Sequence, residues 1–235
     1  MRLDKYISKA VIVSRTAATS YIRSGRVTVN GTVVKTPDFK TDENTAVVTF
    51  DGNILEYNEF IYLMMNKPSG VLSATEDGKG TTVLDLIDEK YMNTGIFPVG
   101  RLDKDTVGLL VLTNNGPLAH NLLSPKHHVS KSYYLETESK ISDADIQKLE
   151  NGVKIDSETV TMPANFEVGE DRKSGVLTIC EGKFHQIKRM LEAVGNKVVF
   201  LKRITFGGIP LDETLSPGEY RNLTKDEINK LRSHR

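Results

Sequence analysis

Residues 100–116 read GRLDKDTVGLLVLTNNG, and the fold is most legible there. The run VGLLVLT (107–113) is a strand so apolar that it must lie in the core. Four charged side chains, Arg101, Asp103, Lys104 and Asp105, crowd its approach. Acids at a strand entrance are usually turn formers or solvated charges, so a functional role for them has to come from the rest of the chain.

Downstream, the strand-like runs KSYYLET (131–137), GVLTIC (175–180) and KVVFLKRITF (197–206) alternate irregularly with helical pieces. Ser142 opens one helix as a capping box with Asp145, and Gly152 closes it. FHQIKRMLEAVG (184–195) predicts another, stopped by Gly195. At 100° per residue its apolar face is Ile187, Met190, Leu191 and Val194; Lys188 falls at the border and Arg189 nearly opposite. Tyr133 and Tyr134 point to opposite sheet faces, and Tyr134 is expected in the core. The regular alternation of a doubly wound sheet is missing. The expected class is α+β, on a mixed, largely antiparallel sheet.

Upstream, FIYLMMNKP (60–68) is a further strand, reached through a polar bridge, EYNE (56–59). A domain boundary is expected there, giving units 1–57 and 58–235. In the first unit Leu3, Ile7, Ala10 and Val11 recur at helical spacing. Ser14 caps a second helix that ends at Gly25 and has Ala18, Tyr21 and Ile22 on its apolar side. RVTVNGTVVK (26–35) is a hairpin around Asn30-Gly31, since both turn residues tolerate positive φ. TAVVTF (45–50) is a strand ending at Asp51-Gly52.

The 235 residues carry no net charge, but residues 1–35 hold seven Lys or Arg against one acid, a local +6. A basic segment on a mildly acidic body suggests a module that binds a polyanion. No apolar run approaches the ~18 residues of a membrane span, and the charged start MRLDKYISKA is unlike a signal peptide. The single cysteine, Cys180, is expected as a buried thiol in its strand. A cytoplasmic, reducing location is expected. Several familiar sites fail. DGKGTT (77–82) lacks the phosphate-loop pattern and reads as a flexible loop. His127-His128 lack companions at ligand spacing, so no metal is expected. Gly207-Gly208 is a turn, and nothing resembles a nucleophile elbow.

The opening RLDKYI (2–7), Ser14-Arg15 and GRVTVNG (25–31) together resemble the S4 RNA-binding domain. GRLDKDTVGLLVLTNNG resembles the central motif of the pseudouridine synthases, in which the aspartate of G-R-L-D is the indispensable catalytic group. NKPSG (66–70) resembles that family's first motif, Lys131-Ser132-Tyr133 its K-x-Y element, and EGKFHQIKRM (181–190) its third motif. The S4 domain in front, with PKHHVSKSYY (125–134) and AVGNKVVFLKR (193–203), points to the RsuA branch, which acts on one uridine of small-subunit (16S) ribosomal RNA. Asn115 departs from the aspartate that many relatives carry in T-N-D-G.

The resemblance implies Asp103 as nucleophile or base, Lys188 as its cationic partner and Tyr133 as the platform for the uracil. It implies RNA contacts by Arg101, Lys67, His185, Gln186 and Arg189, and by Arg2, Lys5, Arg15, Arg23 and Arg26 of the S4 face. The reaction needs no cofactor. The expected partner is 16S ribosomal RNA or an assembly intermediate of the small subunit, and the expected state is a monomer. Rival readings are a sister enzyme acting on 23S ribosomal RNA, a non-catalytic S4-type ribosome-assembly protein, and a small-molecule hydrolase using Asp103. Deleting residues 1–55 is expected to weaken RNA binding and to flatten its dependence on salt. An unchanged slope of log K against log salt in the truncated protein would contradict the S4 docking role.

Overall fold

The computed structural model describes residues 1–43 and 45–234. Two compact units emerge, one of Met1–Ile61 with Asp88–Gly95 and one of Tyr62–Ile87 with Ile96–Arg235. The sequence places the division at 57/58, four residues earlier. It gives no sign that residues 88–95 group with the N-terminal unit.

The first unit opens with α1 (Leu3–Ala10) and α2 (Arg15–Arg23). Ser14 starts α2 by accepting a hydrogen bond from Ala17 N at 3.2 Å. Next come β1 (Val27–Val29), β2 (Thr32–Val33), β3 (Val48–Phe50) and β4 (Asn53–Ile54), paired in the order β2-β1-β3-β4. The β1–β2 turn puts Asn30 at φ 49° and Gly31 at φ 80°, the left-handed pair that a two-residue hairpin requires. Asp51 and Gly52, at φ 50° and 83°, repeat the device between β3 and β4. Leu3, Ile7, Ala18, Ile22, Val27 and Val48 close the core beneath.

The second unit is built on a nine-stranded sheet. In chain order its elements are β5 (Tyr62–Lys67), β6 (Phe97–Pro98), β7 (Val107–Thr113), α3 (Gly116–Leu123), β8 (Lys131–Thr137), α4 (Asp143–Asn151), β9 (Asn165–Val168) and β10 (Ser174–Ile179). They continue with α5 (Gln186–Ala193), β11 (Val198–Phe206), β12 (Ile209–Pro210), β13 (Tyr220–Asn222) and α6 (Lys225–Ser233). The main strand path is β13-β5-β7-β11-β8-β10-β9, with β12 on β11 and β6 on β7. Among the described strands of the sheet β7–β11 is the one parallel pairing, so the sheet is mixed and largely antiparallel, as expected. The central strands β5 and β7 are buried almost throughout, which explains their unbroken apolar runs. Ser142 and Asp145 form the reciprocal cap of α4.

Three local expectations need correction. On β8 the inward set is Lys131, Tyr133, Leu135 and Thr137. Tyr134 is therefore not core; it is half-buried on the other face, donating from its hydroxyl to Glu136. Leu135 shares the face of Tyr133, and the polar Ser132 and Glu136 share that of Tyr134, so the alternation itself favours Tyr133 as the inward residue. Helix α5 starts at Gln186 and not at Phe184, because His185 takes a left-handed φ of 49°. Cys180 lies one residue past β10 and is only half-buried. The 77–82 loop is organised by Asp77, whose Oδ1 accepts from Lys79 N and Gly80 N.

The joint between β7 and β11 determines where the residues preceding β7 emerge. Gly108 opposes Arg203 there at φ 98°, and a Cβ at Gly108 would lie 2.3 Å from the Arg203 carbonyl oxygen. Backbone against backbone cannot yield cheaply. Gly108→Ala is expected to cost ~3 kcal/mol or more and to lower Tm by roughly 6–12 °C. A wild-type melting curve would contradict this tight joint.

Candidate active site

The charged loop before β7 is stitched down from below. Lys67, the last residue of β5, is fully buried. Its ammonium donates to the carbonyls of Pro68 (3.1 Å), Asp103 (3.2 Å), Lys104 (3.3 Å) and Thr106 (2.9 Å). Burial pushes its pKa down to about 8, against the pull of Asp105 and Asp103. The Ser73 hydroxyl donates to Leu102 O and accepts from Leu102 N. Gly70 N donates to Lys104 O at 2.8 Å. Lys67 is therefore not an RNA contact as the sequence suggests; its nitrogen organises the loop.

Asp103 emerges from this loop beside α5. Its Oδ2 lies 3.2 Å from Lys188 Nζ and its Oδ1 3.5 Å from His185 Nε2. Lys188 makes its closer contacts with Asp105, at 2.6 and 2.9 Å to the two carboxylate oxygens. Desolvation opposes the charge on Lys188, but hydrogen bonds to Asp105 and then Asp103 outweigh it and raise its pKa. The Lys188 hydrogen bond holds Asp105 below the usual carboxylate range. Sequence reasoning missed Asp105, although it sits two residues from Asp103 in the quoted motif.

A cavity of about 80 Å³ opens at this point, lined by Arg101, Asp103, Thr106, Tyr133, His185 and Lys188, with Ile179 and Leu201 as apolar walls. The structure thus brings Asp103, Tyr133 and Lys188 together, from a loop, a strand and a helix. Tyr133 is 8% exposed, on the inward face of β8. Arg101 is exposed at the cavity mouth. Lys131, two residues before Tyr133, donates to Val129 O at 2.8 Å, and burial together with Arg203 lowers its pKa to about 8. Arg203 itself is buried and donates from Nε to Leu109 O at 2.7 Å. It was not anticipated, because its strand reads as ordinary alternation.

Other expected RNA contacts have structural duties. Gln186 is buried and is not available as a contact; it donates to Glu181 Oε1 at 2.7 Å and accepts from Lys183 N at 2.9 Å, fixing the approach to α5. Arg189 is not free either, since it bonds Asp156 at 2.6 Å and the carbonyls of Ile155 and Phe184. In the first unit Arg2 and Arg15 converge on the buried carboxylate of Asp4. Arg26 pairs with Asp51 and lies over the rings of Tyr21 and Phe50. Lys5 and Arg23 are exposed. Asn115 caps α3, accepting from Leu118 N while donating to the Tyr62 hydroxyl. Among the described residues no group of three His, Cys, Asp or Glu is placed to hold a metal, and no helix is long and apolar enough to cross a membrane.

Comparison with known proteins adds three findings. The family described as RNA pseudouridylate synthase matches residues 61–193, and the S4 domain matches residues 1–47. The chain is 48% identical to an uncharacterized RNA pseudouridine synthase, YtzG, of Bacillus subtilis, over 98% of both chains. It is 44% identical to the ribosomal small subunit pseudouridine synthase A of Salmonella typhimurium, over 97% of this chain and 98% of that one. A solved structure described as a pseudouridylate synthase superposes with a TM-score of 0.70 at 37% identity, covering 98% of this chain and 99% of the other.

Lys67→Met is expected to set an apolar side chain among four carbonyls and to leave those of Pro68 and Thr106 without the Lys67 donor, while Asp103 O keeps Thr106 N and Lys104 O keeps Gly70 N. The loss is at least ~3 kcal/mol, read as a fall in Tm of roughly 6–12 °C. Wild-type stability in that variant would show that the loop does not depend on the buried ammonium.

Proposed function

The chain belongs to the RNA pseudouridylate synthase family, and from that premise we propose that it converts one uridine of 16S ribosomal RNA to pseudouridine, with Asp103 as the reacting carboxylate. The observation that carries the proposal is the pairing of Asp103 with Lys188 at 3.2 Å in a cavity that Tyr133 also lines.

The reaction breaks the N1–C1′ bond of uridine, turns the uracil and rejoins it through C5. Product and substrate contain the same atoms, so the protein has to supply access, charge and position. A stacked base hides its reactive edge, and the Asp103 cavity is a concave site. The uridine is therefore extruded from the RNA into it, at a cost of a few kcal/mol offset by contacts elsewhere. Attack of the carboxylate on uracil C6, attack on C1′, and removal of the 2′ proton each use an ionised Asp103. Lys188 attracts that carboxylate with ~5 kcal/mol before desolvation, at an effective dielectric of ~20. Tyr133 offers its ring to the uracil. Arg101, at the cavity mouth, holds the phosphate next to the extruded nucleotide.

Support for the small-subunit substrate is the full-length likeness to the Salmonella typhimurium protein whose name specifies it. Residues 1–57, with Lys5 and Arg23 exposed among the paired arginines, dock a neighbouring RNA element through its shape and phosphates. The substrate is 16S RNA or an assembly intermediate of the small subunit, which places the enzyme in the cytoplasm. The enzyme acts as a monomer without a cofactor.

Asp103→Asn keeps the shape of the side chain and removes the anion. It is expected to bind 16S transcript like the wild type while turnover falls roughly a thousandfold or more, measured as tritium released from RNA labelled at uracil C5. Turnover close to wild type would remove Asp103 from the mechanism.

A further inference from the structure

The rim of the Asp103 cavity carries an aromatic ring that the isomerisation leaves without a task. Phe184 stands between Lys183 and His185, both of which line the cavity, yet it is 70% exposed. A lone exposed apolar side chain is ordinary; the way this one is held is not. Its ring stacks on the imidazole of His185, with centroids 3.8 Å apart and planes 18° from parallel. His185 sits at φ 49°, uncommon for a side chain of its size, and its Nε2 faces Asp103 Oδ1 at 3.5 Å. Arg189 donates to the Phe184 carbonyl while paired with Asp156, which fixes the backbone beneath the ring. One face of Phe184 is therefore covered by imidazole, and the ring stays largely open to solvent next to a cavity whose lining includes Arg101, Lys183 and Lys188.

We propose that Phe184 is a stacking platform for the unpaired nucleobase next to the extruded uridine. Base, Phe184 and His185 then form a three-layer stack at the cavity mouth. This rests on the proposed function, since it needs an RNA strand threaded past the Asp103 cavity. Taking one nucleotide out of a stack deprives its neighbours of a partner. An aromatic ring at the exit restores that partner without reading sequence, as side chains do wherever proteins hold single-stranded RNA. Arg101, exposed at the same cavity, suits a phosphate that flanks such a base, whereas Lys183 and Lys188 are held by Glu181 and by Asp103 and Asp105. The innermost layer is the imidazole facing Asp103, so seating the neighbouring base also steadies a group that contacts the carboxylate.

The chain contains no tryptophan, so Phe184→Trp introduces a single indole at this position. Its emission is expected to be quenched on titration with unmodified 16S transcript. Phe184→Ala should raise KM about tenfold with kcat nearly unchanged. Phe184→Leu, apolar but without a ring, should behave like the alanine variant. Unchanged indole emission at saturating RNA, or a wild-type KM in Phe184→Ala, would overturn the proposal. So would full rescue by leucine, which would reduce Phe184 to apolar support. The indole titration decides the matter if Phe184→Ala fails to fold. If the wild type releases no tritium while the indole is still quenched by RNA, the isomerisation reading fails and the platform stands.

Discussion

A buried ammonium sets the geometry on which the site depends. Strand β5 opens with the run Tyr62–Met65, and its burial carries Asn66 and Lys67 into the interior. A cation there without partners would cost many kcal/mol. The partners within reach are the carbonyls of Pro68, Asp103, Lys104 and Thr106, and satisfying Lys67 dictates the path of the loop that carries Asp103. The same contacts give the Pro68 and Thr106 carbonyls a donor and add a second to those of Asp103 and Lys104, which also accept from Thr106 N and Gly70 N. Loop and strand end are thus mutually required, and a charged loop at the ends of two central strands acquires a fixed shape.

On that fixed loop a second arrangement prepares the charge. Asp103 and Asp105 flank one ammonium, and Asp105 holds it with both oxygens while Asp103 keeps a single longer contact. Asp105 anchors Lys188, so the cation stands beside Asp103 before any substrate arrives. Preorganised charge of this kind costs no rearrangement at the moment of reaction. The approach to α5 is fixed in the same manner, with Glu181 and Gln186 spending their polar atoms on each other and on nearby backbone. Several residues of the third motif therefore serve the helix that presents Lys188, and their link to the RNA is indirect.

Local chemistry made much of this legible in sequence. Asn30-Gly31 requires a tight hairpin, Ser142 and Asp145 require a helix start, and an unbroken apolar run requires a central strand; the fold has all three. The motif resemblance was equally direct, and the three side chains it singled out share one cavity. What stayed hidden depends on tertiary partners. Lys67 and Gln186 are polar residue types usually found at the surface, and only the carbonyls and the carboxylate around them explain their burial. The facing of Tyr133 and Tyr134, by contrast, is encoded locally, with Leu135 on the side of Tyr133 and the polar Ser132 and Glu136 on that of Tyr134. The left-handed turn at His185, which shortens α5 and aims the imidazole at Asp103, has no glycine or asparagine to announce it.

The most direct test of this account is a map of pseudouridines in ribosomal RNA from cells lacking the gene, complemented with the wild-type protein or with Asp103→Asn. The account predicts that one 16S uridine loses its modification, that the wild-type protein restores it, and that the asparagine variant does not. An unaltered 16S map, or restoration by the variant, would contradict it.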